Sequence, residues 1–87
     1  MRTIERSTAF KRDYKQIKAN PRYRLNVDTL LTDILKHLIV DKKLPEKYLD
    51  HSLSGQWHGY RECHLKPNLL LIYSKPNPSI LRLVRLG

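Results

Sequence analysis

The side chains best suited to chemistry are concentrated in one segment, residues 50–68, which reads DHSLSGQWHGYRECHLKPN. It contains three histidines, a glutamate, a tyrosine and the cations Arg61 and Lys66. Histidine can donate or accept a proton near neutral pH, and a neighbouring carboxylate can assist it. Fixed cations stabilise negative charge that develops on a phosphate. The segment therefore offers the groups that acid–base cleavage of a phosphodiester requires.

The overall charge indicates a polyanionic partner. The 87 residues include 17 Lys and Arg against 8 Asp and Glu, which gives a net charge of +9 and a pI near 10.0. Such an excess predicts binding to nucleic acid or to an acidic protein. The length predicts a single domain over residues 1–87.

The composition favours a protein that lies in a reducing compartment and does not associate with a membrane. No apolar run approaches the roughly 18 residues that a membrane-spanning helix needs, and the N-terminus has no secretory signal pattern. Cys63 is the single cysteine, so no internal disulfide can form. We therefore expect a cytoplasmic protein that does not contact a membrane.

The spacing of apolar residues predicts an α+β fold with the order β-α-α-β-β-β. Ser7 is a candidate N-cap for the first helix, and residues 46–57 are expected to be mainly loop with room for one helical turn. The predicted elements are an edge strand over 2–6, helices over 8–19 and 26 to 41 or 42, and strands over 60–65, 69–74 and 80–86. Residues 69–73 are apolar on both faces and should be central. Two helices are then expected on one face of a small, mainly antiparallel sheet.

Strand alternation sorts the chemical residues by face. Glu62 and His64 share one face of their strand, whereas Cys63 points to the other. On the last strand, the spacing of Arg82 and Arg85 predicts opposite faces, so one of them is expected above Glu62 and His64. His51 is expected to reach the same place from the preceding loop.

The ordered motifs resemble a known toxin family. The run from Asp50 to Tyr73 fits the pattern D-H-x-L-x-G-x-W-x-G-x-R-[DE]-x-H-[ILV]-x-P-[DN]-x-[LI]-L-[IV]-Y, and a final strand ends in Arg and Gly. It is similar to the YafQ branch of the RelE/ParE superfamily of bacterial toxin–antitoxin systems. The resemblance extends over nearly the whole chain and implies the RelE-like fold.

The resemblance also implies an activity, a ribosome-dependent mRNA endoribonuclease neutralised by a cognate antitoxin of ribbon-helix-helix type. The ribose 2′-hydroxyl would be the nucleophile, and no metal or other cofactor is expected. By position, the active-site residues would be His51, Glu62, His64, Asn68 and Arg85. His64 or Glu62 would be the base, His51 or a second histidine the acid, and Arg85 a phosphate clamp.

Two departures from the family pattern affect the expected activity. Asn68 stands where many relatives have Asp, and an amide cannot accept a proton at neutral pH. Relatives continue after the final glycine with a segment resembling Ser-His-x-Glu-Leu-Phe, whose His and Phe take part in catalysis and stacking. The sequence stops at Gly87, so we expect weakened cleavage from these residues alone.

Several residues have alternative interpretations. Six cations are predicted RNA contacts, but those on the first helix could equally form a solvated face; the six are Lys11, Arg12, Lys15, Lys18, Arg61 and Lys66. Trp57 and Tyr60 could stack on bases, although Trp57 is expected to pack in the core or at its rim. His58 is expected to be an exposed loop residue. A zinc site of His51, Cys63 and His64 is disfavoured because adjacent residues point to opposite faces.

Two other functions fit the same fold. A ParE-like toxin would inhibit DNA gyrase by binding and would need no acid–base residues. A catalytically inactive chain would serve only to bind its antitoxin, with the basic surface holding an acidic or amphipathic segment. The presence of His51, Glu62 and His64 favours the nuclease over the gyrase inhibitor.

Overall fold

Two helices cover one face of a five-stranded sheet in the computed structural model, which describes every residue from Met1 to Gly87. The helices are α1 (Thr8–Ala19) and α2 (Val27–Leu38), and two 3-10 turns span Glu46–Tyr48 and Gly55–Trp57. The strands are β1 (Thr3–Arg6), β2 (His51–Ser52), β3 (Arg61–Lys66), β4 (Leu69–Asn77) and β5 (Ile80–Leu86). The predicted α+β class is confirmed. Neither helix has the length and apolar character needed to cross a membrane.

The start of α1 agrees with the capping prediction. The Ser7 hydroxyl accepts a hydrogen bond from the Phe10 N–H at 2.9 Å, which satisfies one of the free donors of the first turn. The same hydroxyl donates to the Val84 carbonyl at 2.7 Å. The cap therefore both starts α1 and joins it to β5.

The second helix ends earlier than predicted. It stops at Leu38 rather than at residue 41 or 42, and Asp41 adopts a left-handed φ of 58°. The Asp41 carboxylate accepts hydrogen bonds from Arg2 at 2.9 Å and Lys75 at 2.6 Å. These two cations come from distant parts of the chain, so the turn that ends α2 is fixed by tertiary contacts that helical spacing cannot reveal.

Strand β4 is the centre of the sheet, as its apolar sequence predicted. The strand order is β1-β5-β4-β3-β2, with β4 antiparallel to both neighbours and β1 parallel to β5 at the edge. The side chains of Leu69, Leu71 and Tyr73 are buried against the helices in the hydrophobic core. Strand β4 continues to Asn77, beyond the predicted end at residue 74, because the Asn77 side chain accepts the Ser79 N–H and forms a tight turn.

Strand β2 was not predicted. Residues 46–57 contain two 3-10 turns and a two-residue strand rather than loop with one turn. His51 pairs with Glu62 and Ser52 pairs with Arg61 across an antiparallel ladder. His51 is thus fixed to the sheet instead of being carried by a loop.

The prediction that Arg82 and Arg85 lie on opposite faces is wrong. Arg82 pairs with Ser74 and Arg85 with Ile72, and these two partners share a face of β4 because they are two residues apart. The register shifts between Ile72 and Tyr73, which leaves Val84 as an extra residue on β5. A bulge of this kind rotates one residue out of alternation.

Candidate active site

The pairing of β2 with β3 brings together three of the predicted catalytic residues. His51 Nε2 lies 3.4 Å from Glu62 Oε1, and His64 Nε2 lies 4.0 Å from the same oxygen. The two imidazole rings are 6.2 Å apart between centroids. The side chain of His51 is half exposed, whereas those of Glu62 and His64 are about one-fifth exposed. One carboxylate oxygen therefore lies between two imidazoles at the edge of solvent.

Backbone geometry orients the His51 ring. Its Nδ1 lies 2.8 Å from the Leu49 carbonyl oxygen, and a carbonyl can only accept, so this nitrogen is the donor. Leu49 follows the first 3-10 turn with a left-handed φ of 51°, which turns its carbonyl towards the ring. His51 Nε2 is therefore the atom that faces Glu62. The Nδ1 of His64, in contrast, is buried without a hydrogen-bond partner.

A polar network holds the residue before His51. The Tyr73 hydroxyl donates to Asp50 Oδ1 at 2.5 Å, and Arg61 Nη2 donates to Asp50 Oδ2 at 3.0 Å. Burial and the neighbouring Asp50 carboxylate raise the pKa of the Tyr73 phenol, so it remains a donor. Asp50 thereby ties the start of β2 to β3 and β4. Arg61, a predicted RNA contact, is engaged in this internal bond.

The remaining predicted catalytic residues lie outside the histidine cluster. Register pairing aligns His51, Glu62, Ile72 and Arg85 in one row across four strands, so Arg85 lies two strands from Glu62 on the same face. Its guanidinium is bonded to Asp13 on α1. Asn68 is exposed in the β3–β4 turn, and its side chain makes no hydrogen bond.

The predicted RNA-contact cations are spread over the surface. Lys11, Arg12 and Lys15 are exposed on α1, whereas Lys18 donates to Asp28 at 2.7 Å. Lys66 is half-buried at the end of β3. It borders a groove of about 430 Å³ that opens beside His64 and is lined by α2 and the first 3-10 turn. Lys66 and Lys47 therefore lie in a groove that adjoins His64, whereas the α1 cations do not line it.

The aromatic pair near the site is at the surface. Trp57 is 41% exposed and does not belong to the buried core, so of the core or rim position expected for it only the core is excluded. Its ring meets Tyr60 edge to face, with centroids 5.4 Å apart. Trp57 ends the second 3-10 turn, none of whose residues is buried. His58, as expected, is exposed.

The histidine cluster also has the composition of a metal site. One donor atom from each of His51, Glu62 and His64 lies within 4.8 Å of the other two. Imidazole nitrogen and carboxylate oxygen together suit zinc or copper. The zinc set considered from sequence had Cys63 in place of Glu62, but Cys63 is fully buried in the core, and burial raises its thiol pKa to about 12.

Comparison with known proteins identifies the family of this chain. The family described as "Bacterial toxin of type II toxin-antitoxin system, YafQ" matches residues 2–87. The chain belongs to the YafQ toxin family. The mRNA interferase toxin YafQ of Escherichia coli is 34% identical over 86 residues, which are 99% of this chain and 89% of that protein. The predicted family and its nuclease class, named in the curated relatives, are thus confirmed.

Solved structures show the same fold at full coverage. The toxin in the crystal structure of the E. coli DinJ–YafQ complex superposes with a TM-score of 0.82 at 34% identity, over 100% of this chain and 92% of that one. A metal-bound toxin from Helicobacter pylori superposes with a TM-score of 0.87 at 42% identity, over 100% of this chain and 93% of that one. The predicted RelE-like fold is confirmed.

Sequence reasoning missed two acidic residues that hold site residues in place. Asp13 bonds Arg85, and Asp50 bonds both Arg61 and Tyr73. A signal existed for each: Asp13 interrupts a run of basic residues on α1, and Asp50 directly precedes His51. Neither position could be joined to its partner without knowing the register of the sheet.

Proposed function

We propose that this YafQ-family toxin is an mRNA endoribonuclease that cleaves mRNA on the ribosome by attack of the ribose 2′-hydroxyl. The observation that supports it is the single Glu62 oxygen at 3.4 Å from His51 Nε2 and 4.0 Å from His64 Nε2. Three proton-transfer groups on one open sheet face provide both an acid and a base within reach of one phosphodiester. The DNA gyrase inhibitor considered from sequence needs no such group.

The proposed reaction transfers two protons. His64 or Glu62 removes the 2′-hydroxyl proton while the 2′-oxygen bonds to phosphorus. The bond from phosphorus to the 5′-oxygen breaks, and His51 or the second histidine gives that oxygen a proton. The products are a 2′,3′-cyclic phosphate and a free 5′-hydroxyl. Arg85, on the same face, stabilises the charge on the phosphate oxygens, and Asn68 contributes a neutral polar contact from the β3–β4 turn.

Ribosome-dependent cleavage of a defined mRNA tests this assignment. His51→Ala and His64→Ala should each lower cleavage by about 10²- to 10⁴-fold, the usual contribution of a positioned acid or base. His58→Ala is the matched control, since His58 is an exposed histidine of the same segment, and it should retain cleavage within about twofold.

Three outcomes would contradict the proposal. Retention of wild-type cleavage by both His51→Ala and His64→Ala would show that the histidine cluster takes no part in the reaction. Inhibition of DNA supercoiling without mRNA cleavage would favour the gyrase alternative. If the chain does neither but binds its antitoxin, it acts only as a binding protein.

The proposed partners follow from the charge and the family. An antitoxin is proposed because the E. coli relative was solved as the DinJ–YafQ complex, and we expect it to be of ribbon-helix-helix type. Lys11, Arg12 and Lys15 are proposed contacts to ribosomal RNA. Three weaker candidates are Arg61 and Lys18, which already bond Asp50 and Asp28, and the half-buried Lys66. Action on translating ribosomes would require a cytoplasmic location. Ribosome affinity should fall with rising salt, and less steeply in a Lys11→Ala, Lys15→Ala variant.

A second proposal concerns metal binding at the same cluster. It is supported by the spacing of His51, Glu62 and His64 and by the metal-bound relative from H. pylori. A bound ion would occupy the nitrogen and oxygen lone pairs that proton transfer needs, so metal should inhibit cleavage rather than promote it. Titration with Zn²⁺ should shift the His51 and His64 NMR signals and leave those of His58. Unchanged His51 signals would exclude the site.

A further inference from the structure

The guanidinium of Arg85 is held by a carboxylate that is itself fixed at two places. Asp13 Oδ2 accepts from Arg85 Nε at 2.7 Å, and Asp13 Oδ1 accepts from Arg85 Nη2 at 3.1 Å. The Leu86 N–H also donates to Asp13 Oδ2, at 3.0 Å. A two-point contact with a planar guanidinium fixes both its position and its plane.

This contact leaves part of Arg85 free for another anion. A guanidinium has five N–H donors, and Asp13 uses one on Nε and one on Nη2. Both hydrogens of Nη1 and one of Nη2 remain. The Asp13 side chain is 12% exposed, whereas that of Arg85 is 53% exposed. The bonded edge is therefore covered by α1, and the free edge faces solvent.

By register, Arg85 leaves β5 on the sheet face that holds the histidine cluster. Glu62, Ile72 and Arg85 are cross-strand partners on three adjacent strands, and strands are about 4.8 Å apart. The backbones of Glu62 and Arg85 are thus about 10 Å apart. A phosphodiester above Ile72 can contact side chains from both sides.

We propose that Asp13 is a positioning residue, which fixes the plane of Arg85 so that its Nη1 edge meets the phosphate of the cleaved RNA. The inference rests on the proposed function, because it assumes that Arg85 contacts the phosphate. Asp13 itself does not touch the RNA. Its hydrogen bond with Arg85 also lowers the pKa of the Asp13 carboxyl, so the carboxylate remains charged at neutral pH.

A second arginine on the same strand and face provides a matched control. Arg82 donates through Nε and Nη2 to a single oxygen of Glu5, at 3.2 and 3.1 Å. Both side chains of this pair are nearly half exposed, and Glu5 makes no side-chain bond to the backbone. Glu5→Gln removes the same charge as Asp13→Asn but leaves Arg85 untouched.

Steady-state cleavage of ribosome-bound mRNA separates orientation from charge. Asp13→Asn should lower kcat about 10-fold, as expected for a misplaced catalytic contact. KM should not rise, because removing a negative charge from a chain of net charge +9 favours RNA binding. In an Arg85→Lys background the same substitution should change kcat less than about twofold, since lysine cannot make the two-point contact. Glu5→Gln should leave kcat unchanged and, like Asp13→Asn, should not raise KM.

The possible failures are distinguishable. Normal cleavage by Arg85→Ala would show that Arg85 has no role in the proposed site. The inference about Asp13 would then fail as well. If Arg85→Ala is inactive while Asp13→Asn keeps full kcat per folded molecule, the inference alone is overturned, and Asp13 merely ties α1 to β5.

An NMR measurement needs no turnover. In the wild type, the Arg85 Nε–H should give a slowly exchanging signal, and a 2′-deoxy-substituted RNA trinucleotide should shift the Arg85 Nη signals. In the Asp13→Asn variant, the Arg85 Nε–H should exchange rapidly and the trinucleotide should not shift the Arg85 Nη signals. The same Nε–H signal and the same Nη shifts in the two proteins would overturn the inference.

Discussion

Replacing Tyr73 with phenylalanine tests the polar network that precedes His51. Tyr73 is 1% exposed, and its hydroxyl donates to Asp50 at 2.5 Å. The substitution retains the ring and removes one hydrogen bond to a charged group, a contact that contributes about 1.5–3 kcal/mol. The lower end of this energy range applies, because Asp50 keeps its hydrogen bond to Arg61 and is partly exposed to water. We expect a loss of about 1.5 kcal/mol in the free energy of unfolding.

The assay is thermal and urea unfolding followed by circular dichroism. For a domain of this size, that loss corresponds to a decrease in Tm of about 6–12 °C. Tyr60→Phe is the control, since the Tyr60 hydroxyl forms no hydrogen bond and its loss should cost less than about 0.5 kcal/mol. Equal Tm values for the two variants would refute the reasoning. Combining Tyr73→Phe with Asp50→Asn should then reveal a coupling energy of about 1 kcal/mol.

The remaining predictions concern other parts of the fold. Burial raises the Cys63 thiol pKa to about 12, so iodoacetamide at pH 8 should react about 1000-fold more slowly with the native chain than with the urea-unfolded one; equal rates would contradict its burial. Hydrogen bonds from Lys75 and Arg2 lower the Asp41 pKa from 3.8 to about 2. The carboxylate therefore stabilises the fold above pH 3.8, an effect lost as the pH falls through about 2. Asp41→Asn should accordingly lower Tm at pH 7 but hardly at pH 2. Ser7→Ala should reduce unfolding free energy by about 1 kcal/mol in urea titrations; an unchanged value would mean that the cap is dispensable.

Elements governed by local rules could be predicted from the sequence. Helix α1 has a capping serine and one apolar stripe, and both of its ends were predicted. Strand β4 is apolar on both faces, a pattern that suits only the middle of a sheet covered by helices. The sharing of a face by Glu62 and His64 follows from alternation alone, and the structure agrees.

Features set by distant contacts could not be predicted. Strand β2 has two residues, too few to show alternation, and it exists because His51 and Ser52 pair with β3. The extra residue on β5, Val84, places Arg82 and Arg85 on the same face instead of on opposite faces, and nothing in the strand sequence marks it. The Asp13–Arg85 contact joins residues 72 positions apart, so it becomes visible only once the sheet register is known.

The pairing of the acids explains how the histidine cluster keeps its own carboxylate in a strongly basic chain. Six of the eight carboxylates bond Lys or Arg: Glu5, Asp13, Asp28, Asp33, Asp41 and Asp50. Lysine and arginine remain charged across the physiological range, so those pairs do not change near neutral pH. Glu62 is the carboxylate paired with imidazoles, and histidine is the side chain whose charge changes in that range. Glu62 is therefore available to the chemistry of the histidine cluster rather than bonded to a fixed cation, and His58→Ala should leave cleavage unaltered.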